Sequence, residues 1–143
     1  MTGELAPGLV RQDVFAPPAR SLLTGVPAFL GRARASKDTP NPLPLTLWPQ
    51  FEAAFGDSAD GYLADAVRGF FDNDGLLCYV VWLSSTVELR DALSLLDDTD
   101  EVDLLCAPDL MTAATWPSDA DLNAVVDPQR ILLEHCEARG FRQ

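Results

Sequence analysis

Positive charge is the scarcest commodity in this sequence: 10 Lys and Arg stand against 22 Asp and Glu, a formal charge of −12 at neutral pH. A nucleic-acid binder neutralises phosphates with clustered Lys and Arg, and no such cluster exists here, so a nucleic-acid partner is not expected. Long apolar runs are also missing. No stretch approaches the ~20 apolar residues that span a bilayer, and Met1 to Val10 lacks the basic and apolar regions of a signal peptide, so membrane insertion is not expected and synthesis in the cytosol is. Histidine occurs once, at position 135, and any Cys–His or Ser–His mechanism would have to use it. Its neighbour Cys136 is next along a predicted helix, where consecutive side chains diverge by about 100°, so the two form no dyad. Cys78, Cys106 and Cys136 are odd in number and widely spaced among apolar residues, the pattern of reduced packing cysteines. Neither a G-x-x-x-x-G-K-[ST] loop nor a G-x-G-x-x-G turn is present. Asp97, Asp98, Asp100, Glu101 and Asp103 are dense enough to suggest a hard-cation site, but their spacing fits no EF-hand and reads as a solvated loop. Asp119 and Asp121 fall in a polar connector, with nothing to separate their pKa values for acid–base work. These absences together predict neither an enzyme nor a cofactor or metal site.

What is present is one ordinary core. At 143 residues and 48% apolar content, a single domain can bury roughly 68–70% of its unfolded surface. Residues 1–25 lack periodicity, hold Pro7, Gly8, Pro17 and Pro18, and read as an extended arm; the remainder, 26–143, reads as one α/β domain. Val26 to Leu30 is a strand candidate, followed by a proline-rich loop from Arg32 to Pro44. Trp48 to Phe55 is predicted as a short helix with Pro49 in its first turn and Gly56 beyond its end. The strongest helical signal places Leu63, Ala66, Val67, Phe70 and Phe71 on one face, with Asp65, Arg68 and Asp72 opposite. Asp74-Gly75 ends that helix, and Leu76 to Leu83 is a continuous apolar run suited to a strand covered on both faces.

Ser85 and Glu88 have capping-box spacing for a helix through Leu89, Ala92, Leu93 and Leu96 that ends near Asp98. Val102 to Ala107 is the next strand. Asp127 and Pro128 are predicted to open a last helix, closed by Gly140. The alternation of strands and helices predicts a layered α/β fold with a largely parallel sheet and flanking helices. Because the sequence stops after a crossover helix, the domain is expected to be truncated at its C-terminal end, or completed by another chain.

Read as one string, Tyr62-Leu63-Ala64-Asp65-Ala66-Val67-Arg68-Gly69-Phe70-Phe71-Asp72-Asn73-Asp74-Gly75-Leu76-Leu77-Cys78-Tyr79-Val80-Val81 resembles the helix, turn and strand of contractile phage-tail sheath proteins. The family's version is an amphipathic YLAxAVRGFF helix, an Asn-Gly-Gly turn and a strand ending Tyr-Val-Val. Other pieces resemble the family in the same order: Ala6-Pro7-Gly8-Leu9-Val10 its opening Pro-Gly-Val arm, Thr24 to Gly31 its first strand, Leu47 to Gly56 its Trp-x-x-Phe-x-x-x-Phe-Gly helix, and Asp100 to Pro108 its Asp-Glu-Val strand. Two departures stand out. Pro27 removes a ladder donor, which predicts a shortened strand or an edge position, and Asp74 stands where the turn usually has Gly.

The resemblance implies a structural subunit of the sheath of a phage tail or phage-like injection system. It implies assembly around an inner tube through strand-adding arms, with other sheath subunits, the tube protein and baseplate or cap proteins as partners. It implies assembly in the bacterial cytoplasm. On that reading Tyr62, Leu63, Ala66, Val67, Phe70, Phe71, Tyr79, Val80 and Val81 are signature core, and Pro7, Gly8, Leu9 and Val10 are the candidate intersubunit arm. The alternative is a truncated sheath relative that caps, adapts or regulates assembly without polymerising.

Overall fold

A computed structural model describes residues 25–36, 38–56, 61–83, 89–111 and 119–140. Pro7, Gly8, Leu9 and Val10, and the Ser85 and Glu88 pair, lie outside the described residues. Strand β1 (Pro27–Arg32) lies inside a four-stranded sheet of order β2-β3-β1-β4. It runs parallel to β3 (Cys78–Leu83), with Ala28 opposite Tyr79 and Phe29 opposite Val80, and parallel to β4 (Leu104–Cys106), with Ala28 opposite Leu105. β2 (Leu43–Leu45) adds an antiparallel edge, Pro44 facing Tyr79. The layered, largely parallel α/β fold is therefore as expected.

Side-chain alternation sorts the core onto two faces of the sheet. Phe29, Cys78 and Val80 point one way, into a cluster with Phe51 and Phe55 of α1 (Trp48–Phe55) and Leu63 and Val67 of α2 (Leu63–Asp72). Ala28, Leu30 and Val81 point the other way, onto Ala92 and Leu93 of α3 (Leu89–Ser94) and the nearby Leu96, with Ile131 and Leu132 of α4 (Asp119–Gly140) packed against them. β3 thus contributes to both layers, which accounts for its unbroken apolar sequence. At roughly 1.5–3 kcal/mol for each large apolar side chain buried, these two clusters supply the main favourable term of folding.

Three expectations need correction. Pro27 does not put β1 at an edge: the proline is the first residue of an interior strand, where a missing N–H is tolerated, and its neighbour's carbonyl carries the pairing, Val26 accepting from Asp103 N–H at 3.1 Å. The loop from Arg32 to Pro44 ends in β2, a strand that periodicity misses because it has only three residues and a central proline. Asp127 and Pro128 do not open α4: the helix spans Asp119–Gly140, so Asp119 and Asp121 fall within it rather than in a connector, and Pro128 lies inside it. α3 closes at Ser94, and three-residue turns, such as Asp97 N–H to Ser94 O at 3.1 Å, carry the chain onward. α1 matches its predicted span. Gln50 reaches back to accept the N–H groups of Thr46 at 2.7 Å and Leu47 at 3.2 Å, satisfying donors ahead of the first turn.

Candidate functional site: the helix–turn–strand unit and the sheet edges

The twenty residues from Tyr62 to Val81 form one unit, α2, a turn and β3. Leu63 and Val67 are fully buried, and Leu63 lies so close to β1 that a side chain at Gly31 would meet its Cβ at 2.8 Å. Phe70 meets Phe29 edge-on, centroids 5.9 Å apart, and Phe71 meets Phe70 at 5.2 Å. Ala66, Phe70 and Phe71 are half-buried, and Asp65, Arg68 and Asp72 are exposed as the pattern requires. Arg68 lies over the Trp48 ring at 6.0 Å, joining α2 to α1.

The helix ends in a Schellman closure. Asp74 N–H donates to Phe71 O at 3.2 Å and Gly75 N–H to Phe70 O at 3.0 Å, with Asp74 itself left-handed at φ 62°. Asp thus occupies the position where Gly is easiest. Gly75 is needed for space instead, since a Cβ there would come within 2.4 Å of the Phe70 ring.

Of the nine signature residues, Val80 and Val81 are buried on opposite faces of β3 and Tyr79 is half-buried. Tyr62 is a correction: it is 56% exposed, because it precedes the first helical turn and Leu63 takes the inward position. Tyr79 donates its hydroxyl to Glu101 at 2.6 Å. That bond, then burial, then the charge of Glu101 push the phenol up to about 12.

Sequence reasoning missed Asp109, in the 3-10 turn Pro108–Met111 that follows β4. It is 7% exposed, and its carboxylate accepts the Arg32 N–H at 2.8 Å and the Tyr62 N–H at 2.7 Å. One side chain therefore joins the end of β1 to the start of α2, across more than forty residues of sequence. Gly31 and Gly61 leave room for it, since a Cβ at either would meet a carboxylate oxygen, and Gly61 also has φ 97°. The only local sign was a polar residue directly after a strand and a proline, a pattern shared with many exposed turns.

Arg139 on α4 was also missed. It donates to the carbonyls of Leu96 at 2.6 Å and Thr99 at 3.1 Å, satisfying acceptors where α3 unwinds. Arg90 and Glu134 join the same two helices at 2.9 Å on the surface.

For nucleophilic chemistry the arrangement offers little. Burial pushes the Cys78 thiol up to about 12 and raises Cys106 as well, so both stay protonated and poor nucleophiles. Cys136 is exposed and His135 half-buried on α4. Among the described residues no group of three or more His, Cys, Asp or Glu is placed to hold a metal ion, and no helix is long and apolar enough to cross a membrane. Asp97, Asp100 and Asp103 instead line one side of a cleft of about 690 Å³, bounded by β4 and by the end of α4, including His135 and Arg139.

Fold and surface together define a small αβα body whose conspicuous feature among the described residues is a tightly closed helix–turn–strand unit. Comparison with solved structures relates this body to chains of a contractile injection particle. It is similar to the helical sheath of the anti-feeding prophage in its contracted state, with TM-score 0.55 and 25% identity over 87% of this chain and 35% of that one. It is equally similar to the baseplate of the same particle in its contracted state, with TM-score 0.57 and 24% identity over 95% of this chain and 38% of that one. The chain thus spans little more than a third of the length of the chains it matches. No protein-family model and no curated protein matches it.

Proposed function

We propose that the chain is a structural subunit of the contractile sheath of a phage tail or phage-like injection system, without enzymatic activity. The single observation that carries this reading is the Tyr62 to Val81 unit: the string that resembles the sheath signature folds as a closed helix, turn and strand inside a body similar to the anti-feeding prophage sheath. In this reading other sheath subunits and an inner tube are its partners, the Pro7 to Val10 segment pairs between subunits, and assembly takes place in the bacterial cytoplasm. Force would come from differences in buried contact between two lattices, with no nucleotide consumed.

The equal similarity to a baseplate chain favours a second reading, an adaptor or cap that joins the particle without polymerising. Co-expression with the tube and sheath proteins of the same particle, followed by negative-stain microscopy and immunogold labelling of this chain, separates the two. Label along the length of tubes supports a sheath subunit; label confined to one end supports the adaptor; particles free of label would sink both.

A further inference from the structure

Parallel strands direct their carboxyl ends to one end of a sheet, and open α/β folds take ligands there, between neighbouring strands whose connections leave toward opposite faces. β1 and β4 are such a pair. After β1 the chain goes on to α1 and α2, which cover one face. After β4 it passes through the Pro108–Met111 turn to α4, whose Ile131 and Leu132 pack on the other. In this chain the position between the two strand ends holds a group of its own, the carboxylate of Asp109.

The surroundings of that carboxylate have the form of an anion cradle. Two backbone N–H groups from separate elements converge on it, Arg32 at the end of β1 on Oδ2 at 2.8 Å and Tyr62 at the head of α2 on Oδ1 at 2.7 Å. Tyr62 is the N-cap residue of α2 and its side chain makes no capping bond, so the partial positive charge at the head of the helix meets Asp109 instead. The space fits the group closely: a Cβ at Gly31 would lie 2.7 Å from Oδ2, and one at Gly61 would meet Oδ1. Both N–H groups recognise the carboxylate and not the residue that carries it, so the same group on a free molecule satisfies them equally.

We propose that Asp109 is a built-in ligand: it occupies a preformed site for a small carboxylate at the carboxyl ends of β1 and β4, and thereby closes that site to free anions. Removing the side chain opens the site, and the ligand it then takes is the carboxylate that matches the atoms removed.

The test uses the full chain labelled with ¹⁵N. Formate is the probe for Asp109→Ala, because it replaces the carboxylate which that substitution removes; acetate, one carbon longer, replaces the whole side chain lost in Asp109→Gly. Each anion is exchanged for chloride at constant ionic strength, so that general screening stays fixed. In Asp109→Ala, formate is expected to shift the Arg32 and Tyr62 amides saturably. At about ten times its dissociation constant it should raise the folded-to-unfolded ratio about tenfold. Formamide, of the same shape but uncharged, should do neither. Acetate should overtake formate in Asp109→Gly, and neither anion should move those two amides in the parent chain. Chloride matching formate, a formate effect that bypasses Arg32 and Tyr62, or a parent chain that responds at those amides would overturn the proposal. A variant unfolded in chloride must refold in its matching anion, and one unfolded in both counts against the cradle equally. No particle enters this assay, so its failure leaves the labelling experiment on assembly unaffected, and the reverse holds.

Discussion

Asp109 and Tyr79 show how single side chains hold this fold, and both lend themselves to measurement. Asp109 is buried and accepts two part-buried backbone N–H groups from distant elements, so removing the acceptor leaves both donors without that partner. Each stranded donor costs about 1–3 kcal/mol. Asp109→Ala is expected to lower unfolding free energy by about 2–5 kcal/mol in urea titrations, and Asp109→Asn, which keeps one acceptor oxygen, by less. A loss in Asp109→Ala below about 0.5 kcal/mol would show that the carboxylate does not hold the two elements together.

Tyr79 makes a prediction about pH. Its phenol is raised from 10.0 to about 12 in the folded chain, so the folded state holds its proton at pH values where the unfolded state has released it. The stabilisation is complete below pH 10 and is lost as pH rises toward 12. In Tyr62→Phe, where Tyr79 is the one remaining tyrosine, absorbance of the phenolate near ~295 nm should titrate above the ordinary tyrosine range. Replacing Glu101 with Gln should bring the transition down. Titration at the ordinary value in the parent would refute the Tyr79–Glu101 bond.

Helix ends and connections carry the next layer of specification. Left-handed backbone costs a non-glycine residue roughly 1–2 kcal/mol, and the turn after α2 places Asp74 there at φ 62°. Asp74→Gly relieves that strain and adds freedom to the unfolded chain, so a net gain of about 0.5–1 kcal/mol is expected by thermal or chemical denaturation. Destabilisation instead would mean that the Asp74 side chain contributes something its backbone position does not explain. On the opposite face, Arg139 bonds two carbonyls where α3 unwinds. Hydrogen bonds to a charged group contribute about 1.5–3 kcal/mol, so Arg139→Met should destabilise by about that amount. It should also raise amide exchange in residues 95–99 more than in α2, a contrast that general destabilisation would not produce. Arg90→Ala is the comparison: its ion pair with Glu134 is exposed and should contribute below 1 kcal/mol.

For the molecule as a whole, a formal charge of −12 on 143 residues sets like charges against one another in the compact state. Screening over about 10 Å at 0.1 M salt reduces that repulsion. The midpoint of thermal unfolding is therefore expected to rise as sodium chloride increases from a few millimolar to about 0.3 M; a flat or falling midpoint would mean that attractive ion pairs outweigh the net charge.

Much of this architecture was legible in the residues themselves. Five apolar positions at helical spacing announce α2 and its inward face, and an unbroken apolar run announces a strand covered on both sides, because a side chain's direction follows from local backbone geometry alone. Trp48 to Phe55 needed only Pro near its start and Gly beyond its end. What the residues could not disclose depends on groups brought together from far apart in sequence. Pro27 looks like an edge residue until the sheet order places β1 inside, with Val26 supplying the hydrogen-bond acceptor. Asp109 reads as one more exposed turn carboxylate until folding closes β1 and α2 around it, and Tyr62 as core until its position ahead of the first turn leaves it outside. Local periodicity thus determined α1, α2, β3 and the sheath-like string; tertiary structure alone decided strand order and the buried carboxylate joint, because each depends on backbone groups meeting across the chain.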